Sequence, residues 1–362
     1  MGRTRRIIFF SLAGIFLAAF AWWLLKPREP SYQGKSLTVW LKQAEPREGY
    51  ELSEANPEAI NAIREIGTKA IPTLLKFAAA KDTRLIKFLL KLEEKQSLIS
   101  LHLRSQTDLE SLAAYGFFAL GPDAKNAVPG LAVLLKDDDA AVRSTAAYCL
   151  ALIGSAAQAA VPDLINELER KGADHDEMFM AAYVLGEIGP PARASVPALN
   201  AALTNWSGWG REAVQAALIK MQAAPLSPFI EQLKDTSNFT NWVYAMEVVS
   251  NCGTNSGPAV PILVSELTQT NERVPYRVLG ALGQIHQDAD LCVPALVPFL
   301  EHRNKNVREN SISALRHFGK AAQPAVPALI RCLNDPDDSV RSAATNALRR
   351  IDPEAAAKAG VK

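Results

Sequence analysis

The sequence predicts an all-α chain: a right-handed α-solenoid of stacked helix pairs, preceded by one N-terminal transmembrane helix. Three observations carry that expectation. Prolines stand at 129, 162, 197, 228, 261, 294 and 327, at steps of 33, 35, 31, 33, 33 and 33 residues. An aliphatic residue follows each proline by two positions, and in six of the seven units a leucine follows four positions further on. Residues 7–25, IIFFSLAGIFLAAFAWWLL, run for nineteen positions without a charge. A period near 33 marks a helix pair too small to bury its own apolar face, whereas stacked copies can bury it.

The 362 residues are 48% hydrophobic and 21% charged, ample for a core. A net charge of +1 supplies no global field toward nucleic acid or an acidic surface. The chain divides into an anchor (1–26), a linker with a short docking helix (27–56), degenerate repeats with an insertion (57–127), seven regular repeats (128–355) and a tail (356–362).

At about 1.5 Å per residue, the apolar run nearly spans a hydrocarbon core of roughly 30 Å. Arg3, Arg5 and Arg6 precede it, which favours a cytoplasmic N-terminus and places the repeats on the extracytoplasmic side, the periplasm in a Gram-negative cell. Cleavage after Ala19-Phe20-Ala21 is the competing reading and would release a secreted protein. After the anchor, Leu37, Trp40 and Leu41 share a helical face within SLTVWLKQA and are expected to pack on the first folded helices. The step from Pro72 to Pro129 exceeds one period, which predicts an extra helix or loop near 93–107.

Each regular unit reads as two helices. A proline in the first turn costs no hydrogen bond, so the first helix is expected to begin at each Val-Pro and run about ten residues. Acidic or Asn-rich turns follow, as at Asp137–Asp139, Asn304–Asn306 and Asp335–Asp338, and cap the second helix. Gly154, Gly189, Gly253 and Gly319 end it. The phrases VPGLAVLLKDDDAAVRSTAAYCLALIG (128–154) and VPALIRCLNDPDDSVRSAATNALRRI (326–351) resemble short HEAT repeats, armadillo-like helical units of the phycobilisome-lyase type. The resemblance implies that Arg143, Arg211, Arg308 and Arg341 form a structural ladder by bonding to acidic turn residues. Asp176, Trp242 and Pro275 stand at that position in the other units and break it.

No nucleotide-binding, zinc-protease or nucleophile-elbow motif occurs, so no catalytic, metal-binding or cofactor-binding residue is expected. The five histidines are scattered, and Cys149, Cys252, Cys292 and Cys332 read as buried structural thiols. The least regular segment is 203–246. It gathers Asn205, Trp206, Trp209, Phe239, Asn241, Trp242 and Tyr244 into the turns and first turns of adjacent units. That cluster is the candidate interaction patch, for a peptide or a glycan. The alternative is that its tryptophans fill gaps where the repeat is irregular. Asn205 and Asn238 also begin formal glycosylation sequons.

The expectation for function is a monomeric, membrane-tethered scaffold that binds protein partners through residues of the solenoid and lacks catalysis of its own. A glycan- or peptide-binding module is the first alternative. Tetrapyrrole handling, implied by the lyase resemblance, is the second.

Overall fold

The computed structural model describes residues 29–45, 52, 55–95, 104–170, 175–205, 209–235, 237–267 and 273–361. The apolar segment 7–25, and with it the expected transmembrane helix, lies outside the described residues. Among them, Ala140–Glu169 is long and apolar enough to cross a membrane. It is the second helix of one unit, a turn and the first helix of the next, with Val142, Leu150, Ile153, Val161, Leu164 and Leu168 buried in the protein core.

A two-stranded hairpin, β1 (Ser31–Tyr32) and β2 (Lys35–Ser36), leads into α1 (Leu37–Ala44). The Glu29 carboxylate caps α1, accepting from the Thr38 N–H (3.2 Å) and hydroxyl (2.8 Å). Leu37, Trp40 and Leu41 are buried, and the Trp40 indole donates to the Tyr32 carbonyl at 3.0 Å. Then come α2 (Pro57–Ile66), α3 (Ile71–Ala78), α4 (Arg84–Lys95) and α5 (Gln106–Leu120). Helix α1 packs on α2 and α5.

Seven helix pairs follow: α6 (Val128–Leu134) with α7 (Ala140–Ile153), α8 (Val161–Glu169) with α9 (His175–Ile188), α10 (Val196–Asn205) with α11 (Trp209–Lys220), α12 (Ser227–Leu233) with α13 (Phe239–Asn251), α14 (Val260–Glu266) with α15 (Arg273–Ile285), α16 (Ala289–Leu296) with α17 (Lys305–His317), and α18 (Val326–Cys332) with α19 (Asp338–Ile351). Helix α20 (Pro353–Lys358) closes the stack. From α5 to α19 each second helix packs beside the second helix of the next unit, so the all-α solenoid has a continuous second-helix layer. Glycines set its closest approaches: a Cβ on Gly186 of α9 would lie 3.0 Å from the Ala217 Cα, and one on Gly283 of α15 would lie 3.0 Å from the Ala314 Cα.

Caps explain where the second helices start. Asp139 accepts from the Ala141 N–H at 2.9 Å, Asn304 from Asn306 at 3.0 Å and Asp337 from Ser339 at 3.0 Å. Before most Val-Pro pairs the chain makes a 3-10 turn that the periodicity argument passes over, such as Gly154–Ala160. Its small residues recur at spacing three, Gly154, Ala157 and Ala160, and three residues per turn puts them on one face, where both alanines are buried. The first helices are also shorter than expected, since several stop after two turns at the acidic or polar turn.

Two units depart from the expected register. The extra element of the N-terminal repeats is α4, at 84–95, while 96–103 lies outside the described residues. In the sixth unit the first helix does not begin at Val293-Pro294. Asp288, in the left-handed region at φ +55, starts α16 five residues earlier, and Pro294 lies within it. The second proline, Pro298, has no N–H to continue the helix, so the chain tightens into a 3-10 turn at Val297–Glu301.

The glycine that ends a second helix sits in left-handed backbone, as at Gly154 (φ +66). In two units a side chain occupies that place: Gln222 at φ +58 and His286 at φ +35, both exposed. Left-handed backbone costs a residue with a Cβ about 1–2 kcal/mol, part of which glycine returns as unfolded-state entropy. Gln222→Gly and His286→Gly are each expected to raise stability by about 0.5–1 kcal/mol, read as a higher denaturation midpoint.

All four cysteines are buried free thiols. Burial pushes the Cys252 thiol up to about 11 and Cys292 up to about 12, so neither offers a thiolate at neutral pH. A thiol reagent added to the native chain is expected to stay unreacted and to label all four after denaturation. Fast labelling of the native chain would contradict this packing.

Candidate functional site

The predicted ladder arginines divide into two groups. Arg143, Arg308 and Arg341 each reach back beneath their own turn and donate to the same carbonyl of the unit: Asp137 at 2.7 Å, His302 at 3.0 Å and Asp335 at 2.5 Å. Arg308 also grips the Asp335 carboxylate of the next unit with two bonds of 2.8 and 2.7 Å, and this guanidinium holds the Asp335 carboxyl below the usual range. Both side chains are about nine-tenths buried, at 11% and 9% exposure. Where the next turn has Arg170 in place of an acid, Arg143 turns instead to Glu177 (2.8 Å through Nε), and Arg170 shares that carboxylate. Arg341 pairs within its own helix with Asp338. Among the described residues Arg211 joins no acidic turn. It is exposed, with its guanidinium 5.9 Å from the centre of the Tyr244 ring.

The central aromatic patch is taken apart by burial. Trp242 is 0% exposed, in the core, where its indole Nε1 has no hydrogen-bond partner. It stands fourteen residues after Pro228, the position where Arg143, Arg308 and Arg341 reach beneath the turn, so it fills the arginine's channel instead of facing solvent. Phe239, 38% exposed, covers it as a stacked ring at 5.8 Å. Tyr244 is half-buried against Phe229 at 6.0 Å. Asn241 is exposed, and its N–H is held by the Asn238 side chain, which caps α13. Trp206 lies outside the described residues, as do the side chains of Asn205 and Trp209.

The polar feature the structure does assemble lies on the second-helix layer of the same units. A cleft of about 310 Å³ is lined by Phe179 from α9, Glu212 from α11, Val243, Glu247 and Asn251 from α13, and Arg277 from α15. Glu212 is 8% exposed, and its Oε2 has no hydrogen-bond partner. Burial raises its carboxyl above the ordinary value, and the Glu247 carboxylate adds to that. Glu247 accepts from the Arg277 guanidinium at 2.7 Å, both at the exposed rim. The sequence held a signal for this site. Glu212 and Val243 each stand fifteen residues after their unit's proline, and Glu247 lies one helical turn beyond Val243.

A stack of capped helix pairs whose second helices expose one continuous face defines a repeat protein of the α-solenoid class. The family model for HEAT repeats matches residues 128–219 and 260–349, together half of the chain, and the chain belongs to the HEAT-repeat family. No curated protein matches it. Among solved structures, human deoxyhypusine hydroxylase in complex with glycerol is similar at 20% identity and a TM-score of 0.34, covering 80% of this chain and 98% of its own. A designed armadillo repeat protein in complex with the peptide (KR)4 is similar at 18% identity and a TM-score of 0.34, covering 62% of this chain and 99% of its own.

Proposed function

We propose that this chain is a membrane-tethered HEAT-repeat scaffold that binds protein partners on the extracytoplasmic side and carries out no catalysis of its own. The observation that carries the reading is the second-helix layer. It aligns exposed positions from consecutive units, and at its centre it holds a polar cleft drawn from four second helices. Such a surface suits an extended polypeptide, which can touch several repeats at once.

Three features support the tether. Only Lys26, Pro27 and Arg28 separate the apolar run from Glu29, where the fold begins by capping α1. Four residue steps reach roughly 14 Å at most, so an anchor at 7–25 would hold the first repeats against the bilayer. At that end of the stack α4 exposes Phe88 (62%) among exposed Arg84, Lys87 and Lys91, a pattern suited to a headgroup layer. The glycan reading drew on exposed tryptophan, and Trp242 is in the core. A tetrapyrrole calls for a large apolar pocket, whereas the central cleft is small and lined by four polar side chains.

The test is crosslinking in native membranes through a C-terminal tag, followed by mass spectrometry, with alkaline washing of the same membranes. The expected result is a chain that resists the wash and captures one protein in near-equal amount. A chain released by the wash would overturn the tether, and capture of no protein would overturn the scaffold.

A further inference from the structure

We infer that the exposed face of α4 docks on the anionic headgroup layer of the bilayer that carries the anchor, as a second membrane contact of the chain. The inference rests on the tether reading and names the lipid class that the first repeats meet.

Helix α4 turns Ile86 and Leu89 inward, both half-buried, and leaves Arg84, Lys87, Phe88 and Lys91 exposed. The exposed four stand at positions i, i+3, i+4 and i+7, so they share one face of the helix. Phe88, 62% exposed, is the most exposed phenylalanine, tyrosine or tryptophan among the described residues. Its ring has no polar atom to hold it in water, and it stands among three cations. Among the described residues no carboxylate pairs with Arg84, Lys87 or Lys91. The acids beside the start of α4 are engaged elsewhere. Asp82 accepts from the Gln106 N–H at 2.9 Å, and Asp137 pairs with Lys81. With Lys95, the α4 sequence carries four cations against Glu93 and Glu94 in its last turn, so the helix is net cationic. A headgroup layer meets both demands of this face. Its phosphates take the cations, and the boundary between headgroups and acyl chains takes the ring. The layout of the chain keeps α4 near such a layer. Lys26, Pro27 and Arg28 alone separate the apolar run from Glu29, which caps α1. Helix α1 packs on α5, and the start of α5 is bonded to Asp82, just before α4. A tether this short holds a weak surface contact at high effective concentration, so one ring and a few cations suffice. Each cation close to an anionic surface adds roughly fivefold in affinity.

The test places an environment-sensitive dye on the full chain through Phe88→Cys; the four native cysteines are buried and stay unlabelled. The labelled chain is reconstituted into vesicles of phosphatidylcholine, and into vesicles of phosphatidylcholine and phosphatidylglycerol in equal parts. Each is prepared with and without a lipid spin-labelled near its headgroup. The dye at position 88 should shift to the blue and be quenched by the spin label in the phosphatidylglycerol vesicles, and much less in phosphatidylcholine alone. Adding Lys87→Gln and Lys91→Gln should move that contact about thirtyfold toward the free state. The same dye on Tyr276→Cys, 51% exposed in the fifth regular unit, should stay unquenched in both. A dye at position 88 that is unquenched in both vesicles would overturn the inference. So would equal quenching in the two lipids, which removes headgroup charge from the contact, or equal quenching at positions 88 and 276, which makes the contact unspecific. A blue shift that grows with protein concentration in lipid-free detergent would put a second copy on this face and overturn it too. Flotation of the unlabelled chain with phosphatidylcholine vesicles reads the anchor separately. A chain that floats while position 88 stays unquenched keeps the tether and loses the inference.

Discussion

Trp242→Ala is expected to destabilise the chain by about 3–5 kcal/mol, the range for emptying a large aromatic site in a core. Trp242 is fully buried at the middle of the stack. Just before it the apolar core divides. Helix α11 and Met221 just after it give Ala213, Val214, Ala217, Leu218 and Met221 to the N-terminal cluster and Ala216 and Ile219 to the C-terminal one. Solenoid stability is close to a sum over units and neighbouring interfaces, so the loss should be felt locally. Denaturant unfolding of the variant should show two transitions, with the two halves no longer coupled. Trp242→Phe should cost only about 1 kcal/mol, because the indole N–H it removes is unpartnered. A wild-type-like melt for Trp242→Ala would mean that the residue is not in the core. For the same reason lost binding in Trp242→Ala says nothing about a surface contact; Phe239→Ala is the better probe of the exposed part of that cluster.

Arg308→Ala is the second large effect, expected to cost about 2–4 kcal/mol. It leaves the Asp335 carboxylate about nine-tenths buried without its two-pronged partner, and it leaves the His302 carbonyl without the donor beneath the turn. The pH dependence follows from the depressed Asp335 carboxyl. A carboxyl held lower in the folded state than in the unfolded chain contributes stability above its unfolded pKa, near 3.9, and loses it as pH falls through the folded value. Wild type should therefore lose stability on acidification below about pH 4, and Arg308→Ala should lose less over the same interval. Equal acid sensitivity of the two chains would show that the pair does not set it. Arg331→Ala, at an exposed pair, should change stability by no more than about 1 kcal/mol.

Much of the fold was legible because a solenoid repeats its instructions. The prolines, the Asp and Asn caps and the terminating glycines are local signals, and most helix pairs read them the same way. What escaped was conformational detail within that period. The 3-10 turns show only as small residues at spacing three, a pattern hidden in alanine-rich sequence. The early start of α16 depends on Asp288 adopting left-handed backbone, which sequence signals weakly. The candidate site was less legible. Aromatic content suggested an exposed patch at 203–246, yet the repeat's own register placed Trp242 in the arginine channel and therefore inside. In the sequence Glu212 is one charge among several on a helix. Its importance lies in a burial and a missing partner that arise only when α11, α13 and α15 are laid side by side.

The measurement that tests the account most directly is photo-crosslinking from single sites of the full-length chain in its native membrane. One probe replaces Asn251, exposed at the central cleft of the second-helix layer; the other replaces Val133, 69% exposed on the first helix α6. The account predicts that one partner protein is captured from position 251 and not from position 133. Capture from position 133 alone, or equal capture from both, would contradict a scaffold that binds through its second-helix face.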